Sequence, residues 1–279
     1  MRVSPVVQAG RTIALSAVTR PLDFLRYVAR YRRYRRSDVG DLNRAVQEAI
    51  EERTRSFQCS PPAFLLPQRR VEEICGEAHY QHDWHSEPGD GSELPEPEQH
   101  ALVRIVKAYA PATIFEIGTY RGRTTKLLAA CSPLSVVHTL DLSPSDMLDG
   151  GCFPRRDAAL IGAQFSTDEH MRSRITQHFG DSRQFDFGPF YRKVDLVFVD
   201  ASHAYEAVVS DSRQAFQMVR RGGIIVWDDY HPLHGPGVMR ALAEVAKELT
   251  PLVWLKGTRL AVHYPGDDWR NERERRETR

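Results

Sequence analysis

The chain of 279 residues is 41% hydrophobic and 27% charged, enough for one full α/β core and a smaller accessory segment. Its formal net charge of +1 gives no global footprint for nucleic acid, and no run approaches the roughly 18 apolar residues of a membrane-spanning helix. Four scattered cysteines, Cys59, Cys75, Cys131 and Cys152, show no Cys-x-x-Cys spacing, which disfavours a disulfide frame or zinc site and fits a reduced compartment.

The N-terminal apolar stretch 13–18 is broken by Ser16 and too short for a secretory core, so the expected location is cytoplasmic. Pro21 is placed to open a helix over 22–36, with Phe24, Leu25 and Val28 on one face and Tyr27, Tyr31 and Tyr34 on a neighbouring one. It runs into the basic stretch Arg30 to Arg36, which allows a weak peripheral contact with an anionic membrane surface. A solvated helix whose aromatics pack on the body or on a second subunit of a homo-oligomer is the favoured reading, because the apolar face is short and arginines stack on such rings.

Residues 41–55 read as a second helix with Leu42, Ala45, Val46 and Ile50 in a stripe, whereas 65–75 fits no one template. The turn-rich acidic stretch 82–98 marks the expected boundary: a helical accessory segment with lid or linker over 1–95, a main domain over 96–265 and a disordered charged tail over 266–279. His82, Asp83, His85 and Glu87 lack a helical i, i+4 pair and read as a solvated loop rather than a metal cluster.

Within the main domain, a helix over 97–110 leads to a strand at 114–117, a turn carrying Gly118 and Gly122, and a helix start at 124. Further strands are expected at 136–140 before Asp141, 175–179 before Gly180-Asp181-Ser182, 194–199 before Asp200, and 224–227 before Asp228-Asp229. Helices are expected near 156–165, over 205–219 with Gly222-Gly223 ending it, and over 236–249. Residues 252–255 and 259–263 form a hairpin through Lys256-Gly-Thr258. The sum is an α/β fold: a doubly wound, mostly parallel seven-stranded sheet with a terminal antiparallel hairpin, plus the helical N-terminal segment.

Ligands of such sheets bind at the carboxyl ends of the strands, where this chain delivers its polar residues. A glycine turn permits close approach of backbone to ligand, and Asp141 has the usual position for gripping a ribose diol. Asp200, Asp228 and Asp229 would converge from adjacent strands and repel unless a cation joins them; Mg²⁺, with its oxygen ligands, is the natural candidate. The alternative is that Asp228 or Asp229 caps the following helix while Asp200 holds a turn.

The stretch Glu116-Ile-Gly-Thr-Tyr-Arg-Gly-Arg-Thr124 resembles the cofactor loop of class I S-adenosylmethionine (SAM) dependent methyltransferases, most closely the catechol O-methyltransferase-like group. Asp195-Leu-Val-Phe-Val-Asp-Ala-Ser-His-Ala-Tyr-Glu206 and Gly222-Gly-Ile-Ile-Val-Trp-Asp-Asp-Tyr230 are similar to small-molecule O-methyltransferases that include sugar methyltransferases of antibiotic pathways. The resemblance spans about residues 95–265. It implies methyl transfer from SAM to a hydroxyl oxygen of a small molecule, with Glu116, Gly118, Thr119, Tyr120 and Gly122 around the methionine end. Asp141 would take the ribose, Asp181 and Ser182 would border the adenine, and Asp200 would serve both cofactor and metal.

By the same resemblance Asp200, Asp228 and Asp229 match the metal ligands, and His203 stands where the catechol-type group has a lysine base. Ser202 departs from the sugar-type pattern, which carries a carboxylate there. His231 and His234 follow the acid pair and could line the same mouth; Tyr80, Trp84 and Glu93 are weaker candidates, in a lid. Three other readings compete: a non-catalytic SAM-binding scaffold, an NAD-linked oxidoreductase, which the glycine spacing and terminal hairpin disfavour, and a metal-assisted hydroxylase-like role.

Overall fold

The computed structural model describes residues 66–76, 94–146, 159–231, 235–249 and 251–265, all within the compact unit Leu66–Arg279. The helices expected over 22–36 and 41–55, the histidines and lid candidates of 80–93, His234 and the charged tail lie outside the described residues. Among the described residues no helix is long and apolar enough to cross a membrane.

In chain order the elements are β1 (Gln68–Arg69), α1 (Val71–Cys75), α2 (Glu96–Tyr109), β2 (Thr113–Ile117), α3 (Arg123–Cys131) and β3 (Val136–Asp141). There follow α4 (Ala163–Ser166), α5 (Glu169–Arg172), β4 (Ile175–Phe179), β5 (Val194–Val199), α6 (Tyr205–Met218), β6 (Val219–Trp227), α7 (Pro236–Val245), β7 (Leu252–Leu255) and β8 (Ala261–His263). The strands form one sheet in the order β1-β7-β8-β6-β5-β2-β3-β4. Only β8 runs antiparallel to its neighbours, β6 and β7.

All seven expected strands form, and β1 makes an eighth. Residues 66–76, assigned above to the accessory segment, thus join this sheet, with β1 parallel to β7 and Gln68 beside Trp254. Both β1 residues are exposed and polar, so backbone bonds alone recruit them: Trp254 N–H donates to Pro67 O at 2.9 Å and Lys256 N–H to Arg69 O at 2.9 Å. No apolar alternation announced them.

Three boundaries differ from expectation. Helix α6 passes straight into β6 at Val219, so Gly222-Gly223 lie inside a strand instead of ending a helix. They sit where the register to β5 shifts, and a Cβ on Gly223 would stand 2.7 Å from Asp195 O, so the pair accommodates an irregular ladder. Of the helix expected near 156–165, the described part is a turn followed by α4. Helix α7 stops at Val245, four residues early.

Strand residues alternate between two cores, as the period of two requires. Ile114, Val137, Leu196, Phe198, Ile224 and Val226 pack with Leu102, Ile105 and Val106 of α2 and Leu127 and Leu128 of α3. Phe115, Ile117, Leu140, Val197, Val199, Ile225 and Trp227 pack with Val208, Ala215 and Met218 of α6 and Val238, Met239 and Leu242 of α7. With both faces covered, the strands are near-continuous apolar runs. The chain steps outward from β2 to β3 to β4, then returns to lay β5 on the other side of β2. The crevice for a ligand therefore opens between the ends of β2 and β5.

At the β3–β4 edge of the second core, His138 Nδ1 and His178 Nε2 lie 3.1 Å apart, and His138 meets the Phe190 ring edge-on at 4.9 Å. Burial lowers both imidazoles from the ordinary value of 6.5, and the neighbouring His178 lowers His138 further. The unfolded chain therefore binds more protons than the folded one, so this contribution is complete above about pH 6.5 and is lost as pH falls through that value. The urea midpoint is expected to drop between pH 7.5 and 5.5, and His178→Phe to flatten that slope; equal slopes in both proteins would exclude the pair as its source.

Candidate active site

The turn after β2 is tied down from below. Asp141, the last residue of β3, accepts Thr119 N–H at 3.1 Å and Tyr120 N–H at 2.6 Å on Oδ2, and Leu142 N–H at 2.7 Å on Oδ1. Burial raises the Asp141 carboxyl while these three donors oppose the rise. Gly118 has φ +104, and a Cβ there would stand 1.9 Å from Asp200 O, so glycine is required by packing of strand end on strand end as well as by any ligand. Gly122 starts α3 at φ +80 and packs against the Phe165 ring, which the sequence did not foretell. Residues of the α4 turn latch onto the loop, with Gly162 N–H donating to Tyr120 O at 2.8 Å and Gln164 N–H to Arg121 O at 3.0 Å.

Glu116 lies beneath this turn and is fully buried. Its Oε2 accepts the Thr125 hydroxyl at 2.5 Å and the Thr139 hydroxyl at 2.6 Å, joining β2, β3 and α3, while Oε1 has no hydrogen-bond partner. Burial pushes its carboxyl up to about 8 against the two hydroxyls, so it is mostly a neutral acid at pH 7. Glu116 thus stands as a buried strut under the loop.

On the other side of the crevice each strand end docks on its neighbour: Asp200 N–H donates to Ile117 O at 2.8 Å and Asp228 N–H to Val199 O at 3.1 Å. Asp229 follows with φ +58, and Tyr120 across the crevice has φ +45. Such left-handed conformations cost an ordinary residue about 1–2 kcal/mol and cluster at functional sites. Asp229 Oδ2 lies 2.6 Å from His203 Nε2. The first turn of α7 seats both residues closely, since a Cβ on Gly237 would stand 2.2 Å from His203 O and one on Gly235 2.1 Å from Asp229 O.

Among the described residues the group whose ligand atoms lie within 4.8 Å of one another is Asp200, His203 and Asp229. Asp228, expected as the third metal ligand, is not in that group. It is buried, with Oδ1 unbonded and Oδ2 3.6 Å from Arg259 Nη2. Burial, the nearby Asp229 and, more weakly, Glu98 raise it to about 7, against the opposing Arg259. Burial also raises Asp200, reinforced by Asp228, Asp229 and Glu116 and opposed by Arg259.

Residues 115–230, the stretch holding this turn, Asp141, Asp200, His203 and the acid pair, match a family model described as a methyltransferase domain. Over that stretch the chain is similar to a methyltransferase domain. A protein of Staphylococcus aureus provisionally named a caffeoyl-CoA O-methyltransferase shares its fold at TM-score 0.50 and 14% identity, covering 62% of this chain and 86% of that one. An O-methyltransferase of Bacillus cereus solved with S-adenosylhomocysteine aligns at TM-score 0.45 and 18% identity, over 62% and 83% of the two chains. TomG of Streptomyces achromogenes, solved with SAM, aligns at 0.46 and 18%, over 62% and 82%. An uncharacterized protein, R132, of Acanthamoeba polyphaga mimivirus is 33% identical over 57 residues, which are 20% of this chain and 26% of that protein.

Asp181 and Ser182 follow β4 but face different partners. Asp181 is held by Arg183, whose Nη2 lies 2.5 Å from Oδ2, and this pairing lowers its carboxyl. Ser182 donates to Asp211 of α6, which burial pushes up to about 6 and whose Oδ1 makes no hydrogen bond.

Sequence reasoning missed Arg259 and Glu98. Arg259, in the turn before β8, reaches Asp229 Oδ1 with Nη1 at 2.9 Å and is gripped by Glu98 Oε1, which accepts its backbone N–H at 2.8 Å and Nε at 3.3 Å. A lone arginine in a hairpin turn gives no signal in one sequence. Glu98 gave a faint one, being an acid on the buried side of α2.

Proposed function

We propose that the domain transfers the methyl group of SAM to a hydroxyl oxygen of a small molecule, with His203 as the base. The observation that carries this is the His203–Asp229 pair at 2.6 Å, beside Asp200 and across from a glycine turn locked by Asp141. When bound, SAM supplies an electrophilic methyl on a positively charged sulfur. Asp200 offers a counter-charge at the β5 end for the cationic methionine end, and the turn offers backbone at the first N-terminal turn of α3.

Asp229, meeting His203 Nε2 at 2.6 Å, orients the imidazole as the base that takes the acceptor's hydroxyl proton. The oxygen's electron pair forms the new C–O bond as the C–S pair returns to sulfur, and the proton ends on His203. Fixing reactants in line can supply about 7–11 kcal/mol of such a barrier. A sugar or a catechol-like phenol would suit this site equally in chemistry. The four scattered cysteines, with no Cys-x-x-Cys spacing, accord with action in a reduced compartment such as the cytoplasm.

The family resemblance implies Mg²⁺ on Asp200, Asp228 and Asp229, where it would acidify the acceptor hydroxyl. The donors here do not fit that ion. Among the described residues the group whose ligand atoms converge is Asp200, His203 and Asp229, without Asp228. The cluster also contains a nitrogen, and Asp228 and Asp229 face a guanidinium.

Calorimetric titration of the full chain with SAM tests the reading, with NAD as control. SAM is expected to bind, NAD is not, and Asp200→Asn is expected to weaken SAM about tenfold to a hundredfold, the worth of one charge-assisted contact. NAD binding without SAM binding would overturn the assignment.

A further inference from the structure

We propose that Arg259 takes the electrostatic place of a divalent cation in this site, so that the carboxylate cluster is complete without metal. The expectation of a metal came from acids converging with nothing positive between them. The structure supplies that charge from the turn before β8: the guanidinium touches Asp229 Oδ1 at 2.9 Å and stands 3.6 Å from Asp228 Oδ2. Glu98, buried on α2, fixes it from behind through both its backbone N–H and Nε. Arg259 is thus held at two points along its length, and its side chain is only 21% exposed.

A guanidinium is charged at every accessible pH and cannot be lost by dilution or chelation, unlike a bound ion. A divalent ion shared by Asp228 and Asp229 would be forced beside this charge with little water to screen the repulsion. The cluster instead bridges α2, the end of β6 and the β7–β8 turn. The inference rests on reading this edge as the acceptor side, but its test does not need an acceptor.

The full chain is titrated with Mn²⁺, followed by the loss of the free-ion electron paramagnetic resonance signal, and melted in excess chelator and in 5 mM Mg²⁺ (on the order of a saturating concentration for weak sites). The expected result is no saturable Mn²⁺ binding and the same Tm and SAM affinity in both buffers. Arg259→Gln is expected to lower Tm in chelator, to bind Mn²⁺ about tenfold or more tighter than the parent, and to regain Tm with either ion; Arg259→Lys, which keeps a charge, is not expected to gain the site. Stoichiometric Mn²⁺ binding by the parent chain that Asp229→Asn abolishes would overturn the proposal, and that measurement decides it even if Arg259→Gln fails to fold. Failure of SAM to bind would instead count against the methyltransferase reading alone.

Discussion

Gly118→Ala is expected to cost more than about 4 kcal/mol, a large part of the roughly 5–15 kcal/mol that holds a domain together. Two effects add at this position. The backbone sits at φ +104, where an L side chain is strained, and the new Cβ would fall 1.9 Å from Asp200 O and 2.9 Å from Ala201 Cα. Neither obstacle is the movable end of a side chain, so the β2 and β5 ends must separate, and the crevice between them is lost with SAM binding. Gly257, at φ +83 with nothing within 4 Å of a built Cβ, isolates the first effect. Gly257→Ala should cost about 1–2 kcal/mol and leave SAM affinity intact. Chemical denaturation of the two variants separates strain from collision, and equal losses would mean that the strand ends yield easily.

Asp141→Ala is expected to lower stability by about 2–4 kcal/mol and SAM affinity by at least tenfold. The carboxylate satisfies three backbone donors, Thr119, Tyr120 and Leu142. Bonds to a charged acceptor contribute about 1.5–3 kcal/mol each, less where water can replace the partner. Tyr120, at φ +45, depends on this anchor to keep a conformation it would otherwise leave. Asp141→Asn keeps an acceptor oxygen and should fall between parent and alanine variant. Denaturation and SAM calorimetry on the three proteins check the order. An alanine variant matching the parent in both would mean that the turn holds itself and that Asp141 is misplaced as its anchor and as a ribose ligand.

The two variants also mark what could be read from residues alone. The glycines of the turn, the acids closing β3, β5 and β6 and the alternating apolar runs were legible because strand period and turn chemistry are local. The reasons were less so. Gly118 was read as room for a ligand, and the structure adds a neighbouring carbonyl; Gly222-Gly223 were read as a helix end, and they lie at a register shift. Phe165 against Gly122 and Gly162 joins segments about 40 residues apart, and no local pattern encodes such a contact.

The amino-acid sequence by itself determined the parallel α/β sheet, its antiparallel last strand, and the delivery of Asp141, Asp200, Asp228 and Asp229 to one edge, since each follows from periodicity and from where a strand stops. Only the tertiary structure decided how those acids are balanced. Which cation meets Asp228 and Asp229 depends on Glu98 and Arg259, 161 positions apart, being brought together by α2 and the β7–β8 turn. Electrostatic compensation is a sum over neighbours in space, so it could be settled only once the sheet had closed around them.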